Sequence, residues 1–395
     1  MRIVFVHQDH CLYGASRSLL ALVEQLMKRG HECFVLVPRD GPLREALETR
    51  RVEYAITPWR GWMSPDRFSR PRRWMSAMKG FMLNMSYVRG AAGACERFKP
   101  DLVHTNSSRT AFGSLLARRL HVPHTWHFRE FLGGEFSVGA EFSLGQTASC
   151  VWIRRSTSAV VLVSDVLRQQ FSGEFARLPA YVVHNGVMSL GEMQKAVTPL
   201  PETGTLTLAL VGRFDRWKQP LVALEAVRLL TERGLDVRLL MAGDGLDEDV
   251  RAVREFVQSH RMGGRVEVLG FVDDVSGLFA RSHALLMPSR GDAFGRVTAE
   301  SMAYGRPVVA ADSGANTELI ADGVNGLLFR TGDPEDLAAK IRRLIEDRQL
   351  LTEMSRHAAE TAREKFTTEK YGEAMEKIFL SVVRGMPGTG GSVMQ

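Results

Sequence analysis

Cysteine is scarce in this chain of 395 residues: only Cys11, Cys33, Cys95 and Cys150 occur, and no two stand in a CxxC pair. That argues against a zinc ribbon or a disulfide framework and makes a reducing cytoplasm the expected setting. Long apolar runs are missing too. None has the roughly 20 residues needed to cross a bilayer, and the opening run 1–7 is too short for a signal peptide and reads as a first strand. HExxH, GxSxG and Walker A sequences are absent, which leaves zinc-protease, serine-hydrolase and P-loop chemistry without a footing.

What is present is ordinary in bulk, 45% apolar and 24% charged, over a length that suits two domains with a core each. Strand-like apolar runs alternate with helical patterns. Strands are expected at 3–7, 33–37, 102–104, 124–126 and 159–163, with helices at 15–29 and 110–120. The pattern restarts with strands at 206–211, 237–242, 266–269 and 284–287 and helices at 220–233, 247–260 and 275–280. Such alternation predicts parallel α/β architecture, here two facing doubly wound (Rossmann-like) sheets. The expected division is 1–190, a linker at 191–205 and 206–370, then a last helix at 371–385 and a disordered tail at 386–395. Ligands bind outside the carboxyl ends of strands in such sheets, so a cleft between the two domains is expected.

Charge is uneven. Between 59 and 99 stand nine basic residues against Asp66 and Glu96, an excess larger than the +6 of the whole chain. The same segment carries Trp59, Trp62, Phe68, Trp74, Phe81, Tyr87 and five methionines. Basic residues interleaved with aromatics suit an anionic membrane surface. A solvated basic face on a helical insertion explains the charge equally well. No nucleic-acid motif accompanies it, so nucleic acid is not an expected partner.

The most informative stretch is Asp292-Ala-Phe-Gly-Arg-Val-Thr-Ala-Glu300. A strand precedes it, so Asp292 falls in a strand-to-helix loop and Glu300 on the first turns of the helix. Phe294, Gly295 and Arg296 present backbone N–H groups at that helix start, where the dipole favours an anion. Taken singly, Asp292 is a turn residue and Glu300 a solvated helix position; together the two carboxylates suit the hydroxyls of a nucleotide sugar, and the amides its phosphate. Arg213 and Lys218 follow the strand at 206–211 and can neutralise a diphosphate without a metal. Gly14, between the first strand and first helix, permits close ligand approach or simply makes a tight turn. His127, in His-Thr-Trp-His-Phe-Arg-Glu (124–130), stands at a strand end and suits sugar orientation or proton transfer; His124 and Arg129 are weaker candidates. Asp247-Glu-Asp249 matches a metal-binding DxD pattern but reads better as helix-start chemistry.

These residues resemble the family 4 glycosyltransferases, retaining enzymes of the GT-B fold. The likeness covers nearly the whole chain and is strongest over 206–329, where the acidic segment resembles the family's E-x7-E signature. It continues into 305–309, Ser313-Gly-Ala-Asn-Thr-Glu318 and 322–327. The resemblance implies that Arg213 and Lys218 hold the donor diphosphate, Glu300 the ribose and Asp292 the transferred sugar. It puts His127 near that sugar, Asn185 on an Asn-Gly turn before the linker, and Gly14 on the second glycine of the first loop. It also implies a last helix returning to the first domain. Two departures stand out: Asp292 where Glu is usual, and Tyr13 beside Gly14 where two glycines are common. The implied activity is metal-independent, cofactor-free transfer of a hexose from a UDP- or GDP-sugar to a glycan or lipid-linked hydroxyl. The alternatives are a sugar-nucleotide epimerase of the same fold and a non-catalytic membrane-surface binder.

Overall fold

The structure, a computed structural model, describes residues 1–65, 68–132, 140–202 and 204–385. Asp66 and Arg67 of the basic segment, and the tail 386–395 expected to be disordered, lie outside the described residues. The chain divides into two units: Met1–Gly186 with the chain from Thr368 onward, and Val187–Thr367.

Unit 1 begins β1 (Arg2–Val6), α1 (Gly14–Lys28), β2 (Glu32–Val37), α2 (Pro42–Thr49), β3 (Glu53–Ile56), β4 (Met63–Pro65) and α3 (Arg70–Phe98). It continues β5 (Leu102–Thr105), α4 (Phe112–Leu120), β6 (His124–Phe128), β7 (Ala140–Phe142), α5 (Gln146–Ser156), β8 (Ala159–Leu162), α6 (Asp165–Gln170) and β9 (Ala180–Val182). Its parallel sheet runs β3-β2-β1-β5-β6-β8-β9, and β4 pairs with β7 alone. Ile3, Val4, Phe5 and Val6 are all buried, as a strand covered on both faces requires.

Unit 2 holds α7 (Leu190–Ala196), β10 (Leu206–Val211), α8 (Pro220–Glu232), β11 (Val237–Ala242), α9 (Asp247–Ser259), β12 (Val266–Gly270), α10 (Ser276–Ala280) and β13 (Ala284–Met287). Then come α11 (Arg296–Ala303), β14 (Val308–Ala311), α12 (Asn316–Leu319), β15 (Gly326–Phe329), α13 (Pro334–Glu346) and α14 (Arg348–Lys365). Its sheet order is β12-β11-β10-β13-β14-β15, all parallel. The stretch 191–205, expected as linker, opens inside α7. A capping box explains this helix: Ser189 accepts from Glu192 N, and the Glu192 carboxylate accepts from Ser189 N at 2.9 Å.

The last helix, α15 (Thr368–Val383), belongs to unit 1. Tyr371, Met375, Ile378 and Phe379 recur at helical spacing and join Leu19, Leu22, Val23 and Leu26 of α1 in one core. No helix among the described residues is long and apolar enough to cross a membrane.

Candidate active site

Unit 2 brings its site residues together at the carboxyl ends of β10 and β13. The loop leaving β10 lies against the loop leaving β11: Gly212 N donates to Ala242 O at 3.0 Å and Phe214 N to Asp244 O at 2.6 Å. A Cβ on Gly243 would stand 1.8 Å from Gly212 O, so only glycine permits this approach. The carboxylate of Asp215 accepts from Trp217 N and Lys218 N, both at 2.9 Å, and turns the chain. Arg290 N donates to Trp217 O at 2.7 Å, tying this loop to the one after β13. The tie sets Lys218 Nζ against Asp292, 2.6 and 2.8 Å from its two carboxylate oxygens. Both side chains are partly exposed, 28% and 20%. Asp292 is backed by Ala315 N, which donates to its carbonyl at 2.8 Å. A Cβ on Gly314 would fall 2.6 Å from that carbonyl.

Gly295 caps α11 in a left-handed conformation, φ 73°, with no side-chain cap over the first turn. Phe294 is buried with its ring edge-on to Phe366 at 5.9 Å. Beside Gly295, the buried Thr298 Oγ1 and Asn316 Oδ1 have no hydrogen-bond partner among the described residues. Arg296 Nε donates to Glu300 Oε1 at 2.8 Å across one helical turn. Arg213 is 55% exposed and stands 3.8 Å from Asp215. Lys218 and Glu300, read from sequence as ligand contacts, are thus each ion-paired within the protein, Lys218 to the other predicted acid and Glu300 to Arg296. Sequence spacing alone could show only the second pair, which is an i,i+4 contact.

Unit 1 gathers His127 and Asn185 around Arg129, which follows β6. Arg129 donates to Asn185 Oδ1 at 2.5 Å, to Asn106 Oδ1 at 2.8 and 3.0 Å and to Tyr371 Oη at 2.7 Å. Its Nη2 also lies 3.2 Å from His127 Nδ1. Asn106 Nδ2 reaches His7 Nδ1 at 3.0 Å, and His7 Nε2 meets Ser16 Oγ at 2.9 Å. His127 is fully buried, its ring 5.6 Å from that of His104 and 6.5 Å from that of Tyr371. Burial first, then the Arg129 charge, holds His127 well below the ordinary histidine range. His127 is thus a buried ring on the face of β6 that lies under α15, and its Nε2 has no hydrogen-bond partner among the described residues. Gly14 opens α1 as an exposed residue, next to Ala15, whose carbonyl accepts from Asn106 Nδ2 at 3.5 Å.

Sequence reasoning ranked Arg129 low and passed over Asn106, Glu130, Asp9 and Tyr371. Glu130 accepts from Ser107 Oγ at 2.6 Å and Ser108 Oγ at 2.8 Å. Desolvation, with help from Glu130, raises the Asp9 carboxyl above its usual value against the pull of Arg109. The available signal was a lone Arg-Glu pair directly after a buried strand. Asp247, Glu248 and Asp249 occupy the first turn of α9. Among the described residues no three His, Cys, Asp or Glu side chains group as a metal would need.

Two parallel-sheet α/β units with ligand-type loops at the strand ends define a GT-B glycosyltransferase. The fold is shared with Anabaena HepE in complex with UDP, at TM-score 0.78 and 22% identity over 96% of this chain and 100% of that one. It is shared also with S. aureus TarM, at TM-score 0.73 and 13% identity over 96% and 100%. The family described as Glycosyltransferase Family 4 matches residues 13–188, and Glycosyl transferases group 1 matches 205–347. An uncharacterized glycosyltransferase of Methanocaldococcus jannaschii is 27% identical over 71% of this chain and 75% of its own. Glycogen synthase of Mycobacterium tuberculosis is 24% identical over 98% and 96%. The chain belongs to the group 1, family 4 glycosyltransferases.

Proposed function

We propose that this transferase moves a hexose, with retention, from a UDP- or GDP-sugar to a hydroxyl of a glycan or lipid-linked acceptor in cell-surface polysaccharide or glycolipid synthesis. One observation carries the reading: Lys218, Asp292 and the α11 N-terminus converge within unit 2, a cation and a carboxylate side by side at an anion-favouring helix start. The neighbours support a nucleotide donor, since HepE structures hold UDP and UDP-glucose.

In this mechanism Lys218 exchanges Asp292 for the donor diphosphate, joined by Arg213 and the backbone around Gly295. Asp292, released, accepts hydrogen bonds from sugar hydroxyls. Glu300, steadied by Arg296, takes the ribose hydroxyls; Phe294 packs the turn. The bond from the anomeric carbon to the diphosphate oxygen breaks, and its electron pair leaves with the diphosphate. The acceptor oxygen bonds to the same face of that carbon and its proton passes to a phosphate oxygen, so no protein base is needed. Charge grows on the leaving group as the bond breaks, and preorganised cations aimed at that charge supply the main catalytic term. Two side-chain cations do this without a metal or cofactor. Gly14 and Asn185 enter as donor-binding positions through the family resemblance, and His127 acts through Arg129 as a positioning residue.

Lys218→Ala tests this. Transfer kcat/KM with the productive nucleotide sugar is expected to fall on the order of 10²-fold or more. A loss within a few-fold overturns the mechanism.

A further inference from the structure

The first half of α3 turns an apolar face to solvent. Trp74, Met75, Met78, Phe81, Met82 and Met85 are exposed, from 41% for Met85 to 69% for Met82. At about 100° per residue all six fall within an arc of about 120°, in a stripe about 16 Å long. The second half of the helix is anchored: Val88, Ala91, Ala92 and Cys95 pack with Phe112 and Leu116 of α4. Asn84 fixes the junction, accepting from Arg60 N at 2.8 Å and donating to Arg60 O at 2.9 Å. The stripe is therefore held rigidly at the surface.

The helix itself carries one sign of charge here, and the acid recorded against it is Glu141 of β7, which pairs with Arg73. From 70 to 95 the sequence has Arg70, Arg72, Arg73, Lys79 and Arg89 and no acidic residue. Arg72 and Lys79 border one edge of the stripe by helical angle and Arg70 the other; all three are exposed. A solvated basic face does not explain six exposed apolar side chains. A patch this apolar marks an interaction surface, and the basic border selects an anionic one.

We propose that this face of α3 docks the protein on an anionic lipid bilayer, with Trp74, Phe81 and the methionines in the headgroup–acyl boundary and the basic border on the headgroups. A bilayer fits better than a protein groove, because exposed Trp74 and Phe81 are bordered on both edges by exposed Arg70, Arg72 and Lys79, the pattern of a helix lying in an anionic interface. The proposal does not depend on the donor chemistry, since it is read by binding and not by turnover.

The test is co-sedimentation of the full chain with vesicles of phosphatidylcholine containing about 30% phosphatidylglycerol, at low and high salt, against phosphatidylcholine alone. Binding is expected to the anionic vesicles at low salt and to weaken at least about tenfold in 0.5 M salt. Replacing Arg70, Arg72 and Lys79 with Gln should weaken it about fivefold per residue, on the order of a hundredfold together. Trp74→Ser with Met82→Ser should weaken it with all charges intact, and circular dichroism should show both variants folded. Equal binding to neutral vesicles, or no binding to anionic ones, overturns the proposal. So does a dimer in sedimentation velocity that Trp74→Ser dissolves while vesicles leave the protein unbound.

Discussion

The polar clusters of the two units are built on opposite principles. In unit 2 the charged groups at the strand ends are partly exposed and paired with each other, so Lys218 and Asp292 can trade partners at little cost in burial. In unit 1 the polar groups lie under the surface and Arg129 satisfies several at once: Asn106, Asn185, Tyr371 and the His127 ring. Exchangeable pairs suit ligand chemistry; a buried network around one guanidinium fixes positions, and within it His127 Nε2 has no hydrogen-bond partner among the described residues. Two clusters of similar composition thus point to different tasks.

Acid should separate them most sharply. Burial pushes His7 and His124 down to about 3 and holds His104 and His127 well below the ordinary range, all in unit 1. A histidine kept neutral by folding takes its proton only in the unfolded chain. Its contribution is complete above about pH 6.5 and is lost as pH falls, at about 1.4 kcal/mol per pH unit for each ring. In unit 2 only His283 is pushed the same way among the described residues. Unit 1 should therefore unfold first, by about pH 5. Five of the six tryptophans lie in unit 1 and only Trp217 in unit 2, so tryptophan emission follows it. Unchanged emission between pH 7 and 5 would erase the contrast.

Next in size is Arg129→Ala, which strands Asn106, Asn185 and Tyr371 and should cost about 3 kcal/mol of stability. A urea melt measures it. An unchanged midpoint would show that the network does not stabilise unit 1, whereas Lys218→Ala should do the reverse of Arg129→Ala: cut turnover on the order of 10²-fold and leave the melt in place. The smallest effect expected is Asp292→Glu. One added methylene lets the carboxylate reach further past Lys218, so relative kcat/KM among nucleotide sugars should shift by less than about tenfold. Identical ratios across a donor panel would remove Asp292 from sugar selection.

Much of this was legible in the residue string, unevenly. The strands Leu206–Val211, Val237–Ala242 and Ala284–Met287 can be read to the residue, because each is a continuous apolar run between polar or glycine punctuation. Asp292 and Glu300 could be placed on a loop and a helix for the same reason. The pairing of Lys218 with Asp292 could not, since 74 positions separate them and only sheet order makes their loops adjacent. His127 misleads for a related reason: a strand-end histidine looks accessible until α15, some 240 residues later, covers that face. The helix α7 was there to be found in its Ser189-x-x-Glu192 box, but the prolines and glycines around it dominate the reading.

The return of α15 to unit 1 also sets an order of assembly. Unit 2 is one uninterrupted stretch, Val187–Thr367, and all of it is synthesised before α15. Unit 1 is split, and until Tyr371, Met375, Ile378 and Phe379 arrive, Leu19, Leu22 and Phe5 lack part of their apolar cover. The middle of the chain can thus fold while its beginning waits, the reverse of the usual amino-terminal-first sequence of domain folding. A chain truncated before residue 368 would hold all of unit 2 and a unit 1 without its α15 cover.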